Sequence, residues 1–382
     1  MPAIYLDAHA TTPVDPRVLE EMLPYFTEHF GNAASRNHPF GWTAAKAVER
    51  AREQVASLVG ARFREVVFTS GATESNNLAI KGVAARAPTG RRHIVTIATE
   101  HRAVIDPCRA LERDGFRVTY LSVDADGCLD VDELRHAVGT DTLLVSAMSA
   151  NNEIGVLHPI REITEAAHAA GALVHCDAVQ SVFAGDMQVD SGVDLLSLSA
   201  HKLYGPKGVG ALFFAKRRPR LEMSPLFDGG GHERGIRSGT LNVPAIVGFG
   251  KAADLCVHEG RADAARIGAL RDRLWRAISS ALGGVHLNGP EEPRLPNNLN
   301  VRVDGVHGES LMKAIASEVA VSSGAACATA SAEPSHVLRA IGLSDEQARA
   351  SIRFGLSRFN TADDVDRAAG IVADAIRQLR QR

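Results

Sequence analysis

The chain has 382 residues, with 42 Lys and Arg against 45 Asp and Glu and a formal net charge of −3. That balance argues against a surface built to neutralise phosphate backbones, so direct nucleic-acid contact is not expected. Hydrophobic residues at 45% and charged residues at 23% are the mix of a globular protein, and the length calls for a large domain plus a smaller one.

No run approaches the roughly 18–20 apolar residues needed to span a bilayer. The opening MPAIYLDAHATTP has neither the basic region nor the apolar core of a secretory signal. Cysteines stand at 108, 128, 176, 256 and 327, with no CxxC pair. Their odd number and wide spacing fit neither a disulfide framework nor a metal knuckle, so no metal and a reducing cytoplasm are expected.

In chain order, short apolar runs alternate with amphipathic stretches. Strands are predicted at Val66–Ser70, His93–Ala98, Arg117–Ser122, Thr142–Ser149, Ala172–Cys176, Leu195–Ser199 and Val209–Phe214. Helices are predicted at Gly41–Val59, Thr73–Arg86, Ala103–Asp114, Asp130–Val138 and Ile160–Ala170. Strand–helix alternation with nearly continuous apolar strands implies an α/β fold with a mostly parallel seven-stranded sheet covered on both faces. Ligands collect at the carboxyl ends of such strands. From Val243 to Leu282 the pattern is helical; beyond it lie short strands at Asn298–Val303, Val319–Ser322 and Ser351–Gly355, then a helix over Thr361–Leu379. A boundary inside the long helix gives a large domain, 15–260, and a smaller α+β domain, 1–14 with 261–382.

The strand ends carry the chemistry. Ser70-Gly71-Ala72-Thr73-Glu74 opens a helix straight after a strand, which aims free N–H groups at one point and suits a phosphate; a capped helix start is the plain alternative. Ser199-Ala200-His201-Lys202 follows an apolar strand. Most lysines are solvated, but one held at a partly dry strand end has a lowered pKa and forms Schiff bases. Cys176-Asp177-Ala178-Val179-Gln180 puts a carboxylate where a pyridinium nitrogen would need one, or merely caps a turn. Thr99-Glu100-His101 adds an imidazole.

Three further stretches stand out. Ser322–Ser331 is a run of tiny residues around Cys327, a loop on which a nucleophilic thiolate could travel, whereas Cys176 sits in a strand and reads as buried and inert. Gly229–Thr240 is glycine-rich and cationic, either an anion wrap or a surface loop. Arg353 lies in an apolar strand, as a carboxylate clamp or an internal ion-pair partner. Gly205, Gly208 and Gly210 read GxxGxG, which is not a dinucleotide fingerprint.

Together these residues resemble the cysteine desulfurases of the NifS/IscS type, fold-type I pyridoxal 5'-phosphate (PLP) enzymes related to class V aminotransferases. The resemblance runs from Tyr5-Leu6-Asp7 and Ala10-Thr11-Thr12-Pro13 through Phe30-Gly31-Asn32, Asn151-Asn152-Glu153-Ile154-Gly155, Gly230-Gly231-His232-Glu233-Arg234 and Glu333-Pro334-Ser335-His336 to Ser351-Ile352-Arg353-Phe354. It implies that Lys202 carries the Schiff base, that Asp177 pairs with the pyridine nitrogen, that His101 stacks on the ring and shuttles a proton, and that Gln180 bonds the phenolic oxygen. Ala72 (by its backbone), Thr73, Ser199 and His201 would cup the phosphate. Thr240 would reach the phosphate of a partner subunit, making a homodimer. Arg353 and Asn152 would receive the carboxylate of L-cysteine. Cys327 would take the sulfur as a persulfide and pass it to an acceptor protein.

Ala325 stands where many members have Ser, and Ala200 where Gly or Ser is common. The chain stops soon after its last helix, without the tail that housekeeping members use to dock an iron–sulfur scaffold. That length is closest to the branch serving bacterial DNA phosphorothioation (the Dnd system), so sulfur delivery to that pathway is expected, with iron–sulfur assembly or tRNA thiolation as the competing destination. An aminotransferase or selenocysteine lyase would use the same Lys202 and Asp177 but has no need of Cys327.

Overall fold

The computed structural model describes residues 3–181, 183, 188–216, 221–323 and 333–381. Cys327 lies outside the described residues. The first half holds β1 (Ile4–Tyr5), α1 (Pro16–Met22), α2 (Pro24–Thr27), α3 (Pro39–Leu58), β2 (Val66–Thr69), α4 (Ala72–Ala84), β3 (His93–Ile97), α5 (Arg102–Arg113), β4 (Arg117–Leu121), α6 (Val131–Ala137), β5 (Thr142–Ser146), α7 (Ile160–Ala169) and β6 (Leu173–Asp177). It continues through β7 (Leu195–Ser199), β8 (Gly210–Phe214), α8 (Val243–Ala281), β9 (Val285–Leu287), β10 (Asn298–Val303), α9 (Gly308–Ile315), β11 (Val319–Ala320), β12 (Ser322–Ser323), α10 (His336–Ala340), α11 (Asp345–Arg349), β13 (Ser351–Gly355) and α12 (Ala362–Arg380).

The seven strands read from the sequence form one sheet, in the order β2-β8-β7-β6-β5-β3-β4. The pairings among β3 to β7 are parallel, whereas β8 runs antiparallel to both β7 and β2. Two reversals restore the direction, so β2 ends at the same edge as β3, β5, β6 and β7. The inner strands are buried along almost their whole length, which is why they read as unbroken apolar runs. Thr142–Ser149 was expected as one strand; β5 spans Thr142–Ser146, and beyond it Ala147 N and Ser149 N still donate to the His175 and Asp177 carbonyls of β6, each at 3.0 Å.

A second, antiparallel sheet has the order β12-β13-β10-β9. The N-terminal segment joins it from the far end of the chain. β1 pairs in parallel with β11, Leu6 N donates to Ala320 O at 2.8 Å, and Ala8 N donates to Gly355 O at 2.9 Å. The expected boundary near residue 260 falls within α8, a single helix of 39 residues. It packs closely on α3: a Cβ on Gly250 would lie 2.6 Å from the Ala51 Cα. The short elements β1, α1, α2 and β9 were not read from the sequence.

Buried imidazoles stitch these layers. His175 bridges the Ser146 hydroxyl (2.8 Å) and the Ser197 hydroxyl (2.9 Å) across three strands. Burial drives the pKa of His175 down to about 3 and of His158 to about 4. His9 and His201 are likewise held at about 3 and about 4, chiefly by burial. An unfolded histidine titrates near 6.5, so below that pH the unfolded chain binds more protons than the folded one. Stability is therefore complete above pH 6.5 and is lost as pH falls toward 4, by roughly 1.4 kcal/mol per pH unit for each such histidine. Urea midpoints measured at pH 7 and pH 5 should show this steep loss; equal midpoints would contradict it.

Candidate active site

β7 ends at Ser199, which is buried, and a tight 3-10 turn over Ala200–Lys202 follows. The Lys202 Nζ donates to the carbonyls of His9 and, at 2.8 Å, of Ala10. The N-terminal segment is stapled to the same turn. Thr12 donates to the His201 carbonyl through both its backbone N–H and its hydroxyl, each at 3.0 Å, and the Thr11 hydroxyl meets His201 Nδ1 at 3.1 Å. Burial, with Lys202 and Lys207 as the nearby cations, keeps His201 neutral.

One strand over, Asp177 closes β6. Its Oδ2 accepts from Asn76 Nδ2 at 2.7 Å and its Oδ1 from the Val179 N–H at 3.1 Å. Asn76 reaches it from the buried face of α4. Glu100 is fully buried nearby, with the Met148 N–H donating to its Oε1. Burial first, then the Asp177 carboxylate, push the Glu100 carboxyl well up, so it keeps its proton. His101 opens α5, its Nδ1 accepting from the Ala103 N–H at 3.0 Å. That cap needs a lone pair on Nδ1, and burial further lowers the pKa of the ring against the pull of Asp177; His101 is a neutral imidazole with its proton on Nε2.

The helix α4 starts at Ala72 with Gly71 as its N-cap, which has no side chain to cap the first turn. Gly71 takes a φ of 151°, and Gly210 is required beside it, since a Cβ there would lie 2.7 Å from the Gly71 Cα. The first turn of α4, with its exposed Thr73, thus starts beside Gly210, the strand partner of Ser199, with open space over Gly71. Gln180 completes the group: its Oε1 meets His9 Nδ1 at 3.0 Å.

Arg353 is buried, and three of its contacts are internal. Nη1 donates to the Asn152 carbonyl at 3.0 Å, and Nη2 reaches Asp7 Oδ1 at 3.1 Å and the Ser322 hydroxyl at 3.0 Å. Its Nε is buried with no partner among the described residues. Asn152 therefore meets Arg353 through its backbone, not its side chain. Thr240 is exposed. In the loop before it, Arg234 donates to Val66 O (2.8 Å) and Arg237 pairs with Glu74 (2.9 Å). Glu233 fixes that loop, accepting from Arg52 at 2.6 and 2.8 Å and from the Phe68 N–H at 2.9 Å. His9, Asn76 and Glu100 had been given no role from sequence; a buried Asn on the apolar face of α4 was the one visible signal.

These residues fit PLP. An uncapped helix start, a buried carboxylate held by N–H donors and a strand-end lysine resting on two carbonyls match its phosphate, ring nitrogen and aldehyde. When bound, it supplies an electron sink for the carbanion formed beside the substrate amine. Asp177→Asn should retain the cofactor's absorbance yet lose turnover by about 10²-fold or more, as for other deleted electrostatic partners. Glu233→Ala strands the buried Arg52 and should cost about 3–5 kcal/mol in chemical unfolding; a loss below 1 kcal/mol would mean the loop is not anchored by this pair.

Residues 4–368 match the family model described as Aminotransferase class-V. The chain is 58% identical, over 99% of its length and 93% of the relative's, to "Cysteine desulfurase IscS" of Anaeromyxobacter sp. (strain Fw109-5). Among solved structures it is similar to a "NIFS-LIKE PROTEIN" at a TM-score of 0.91 and 38% identity, covering 98% of this chain and 99% of that one. It is also similar to DndA from Streptomyces lividans, at a TM-score of 0.78 and 41% identity, covering 92% and 99%. A full-length match of this kind, over a sheet edge equipped for PLP, means that the chain belongs to the class V aminotransferase family as a PLP-dependent cysteine desulfurase of the IscS/NifS type.

Proposed function

We propose that the chain converts L-cysteine to L-alanine, takes the sulfur as a persulfide on Cys327 and passes it to an acceptor protein. The placement of Lys202 after β7 and Asp177 at the end of β6 carries this reading. In it, the substrate carboxylate enters at Arg353, whose Nε is unpartnered and whose Nη2 already holds a carboxylate, that of Asp7. Asn152 frames the same position. Lys202 holds the cofactor and, once released from it, takes the α-proton at Nζ. His101, neutral with Nε2–H, would face the cofactor ring and relay a proton, while Gln180 would donate to the phenolic oxygen and Ala72, Thr73, Ser199 and His201 would hold the phosphate. The Cys327 thiolate would attack the substrate sulfur, forming the S–S bond of the persulfide as the C–S bond breaks; the C–S electron pair stays with the carbon fragment, which takes a proton and leaves as alanine. Every cysteine among the described residues is a poor rival: burial pushes Cys108 and Cys256 up to about 12, and raises Cys128 and Cys176.

We read 15–260 as the cofactor-holding domain and 1–14 with 261–382 as the small domain, a division supported by the pairing of β1 with β11. A homodimer, with Thr240 reaching the partner's phosphate site, accounts for the exposed Leu23, Phe26, Phe30, Phe40 and Trp42 on and between the N-terminal helices. The cytoplasm suits a nucleophilic thiol that has to stay reduced. For the destination of the sulfur, the 58% identity to an IscS favours housekeeping use in iron–sulfur assembly or tRNA thiolation. The 41% identity to DndA supports DNA phosphorothioation as the second reading.

L-Cysteine turnover on the PLP-loaded protein tests this, with alanine and persulfide followed together. The wild type should make both, and Cys327→Ser should lose both. Full alanine release by the variant, or a keto acid from the wild type, would favour aminotransferase chemistry instead.

A further inference from the structure

A chain of three buried side chains, Arg294, Asn298 and His9, leads from the second sheet to the half-buried Gln180, and each link fixes the next. Arg294 is buried and can only donate; its Nε and Nη2 are spent on the carbonyls of Pro290 (2.7 Å) and Asn288 (2.6 Å). Its Nη1 lies 3.0 Å from Asn298 Oδ1, so that atom must be the oxygen. The Asn298 amide nitrogen then points at the Glu153 carbonyl (3.0 Å), a second lock on the same orientation, and at His9 Nε2 (3.2 Å). His9 Nε2 faces a donor and has to accept. Burial first, then the Arg353 cation, lower the pKa of His9 to about 3, against the hydrogen bonds to Gln180 and the Asn297 backbone. The ring is therefore neutral with its proton on Nδ1, which donates to Gln180 Oε1 at 3.0 Å.

With its oxygen so engaged, Gln180 has only its NH₂ edge left. That edge makes a long contact of 3.4 Å to the His9 carbonyl and is otherwise available. We propose that His9 is a positioning residue which, oriented by Asn298 and Arg294, fixes the Gln180 amide so that it offers a hydrogen-bond donor, not an acceptor, to the cofactor's phenolic oxygen. This rests on the reading of Gln180 as the residue facing that oxygen. A free Gln amide presents either edge, and its carbonyl would repel the phenolate. The tautomer of one buried histidine thus decides the sign of the contact.

The test is a pH titration of the visible absorbance of the PLP-loaded protein, without substrate. A donor to the phenolate favours the deprotonated chromophore, so losing it should raise the midpoint. Gln180→Leu and His9→Leu should each raise it by about one pH unit, the worth of one hydrogen bond to a charged group. His9→Asn, which keeps an N–H near the place of Nδ1, should stay close to wild type. His9→Ser, too short to reach Gln180, should give the same upward shift as leucine and serves if the leucine variant fails to fold. A wild-type midpoint in His9→Leu and His9→Ser, with Gln180→Leu shifted, overturns the positioning role alone. No shift in Gln180→Leu overturns the reading of Gln180, and the proposal with it.

Discussion

The site depends on a short piece of backbone, Asp7–Thr12, lying across the carboxyl edge of the large sheet. Its carbonyls at His9 and Ala10 receive the Lys202 ammonium, its Thr11 and Thr12 side chains hold the turn of His201, and Asp7 takes one arm of Arg353. The contacts from this segment to Lys202 are made by neutral carbonyls, whereas Asp7 and Arg353 meet as an ion pair. Residues brought in from the two sheets meet only because this segment touches both.

Around that segment, charge is handled by burial as much as by pairing. His9, His158, His175 and His201 are all kept neutral, and Glu100 keeps its proton beside Asp177. A group that cannot ionise serves as a directional donor or acceptor, which a charged one with a hydration shell does not. The interior near the cofactor position is in this sense wired by tautomers and amide orientations as well as by ion pairs such as Arg353–Asp7.

Much of this was legible in the amino-acid order. The seven sheet strands announced themselves as apolar runs because parallel strands covered on both faces leave no polar alternation. The residues just past them, at Thr73, His101, Asp177 and Lys202, were found because each follows a strand end. His9 was not, because its partners Gln180 and Asn298 lie 171 and 289 positions away, and no local pattern encodes contacts of that range. Short elements such as β1 and β9 exist only by pairing with a distant strand, so their own composition does not mark them. Arg353 was ambiguous from sequence between a carboxylate clamp and an internal ion-pair partner, and the structure shows the internal pair, with Asp7.

The pairing of β1 with β11 also sets an order of events during synthesis. The large sheet needs nothing beyond Phe214 to close its ladders, and domains form as their residues leave the ribosome. The strand that bears Arg353, and the ladder that anchors residues 4–8, emerge more than 100 residues later. Until then the Asp7–Thr12 segment rests on the turn at His201–Lys202 and on Gln180, without its anchors on β11 and β13. The turn at Ala200–Lys202 can therefore form on a nascent chain, whereas the strand that bears Arg353 is a late acquisition, completed by closing a loop of some 300 residues whose entropic cost rises only logarithmically with its length.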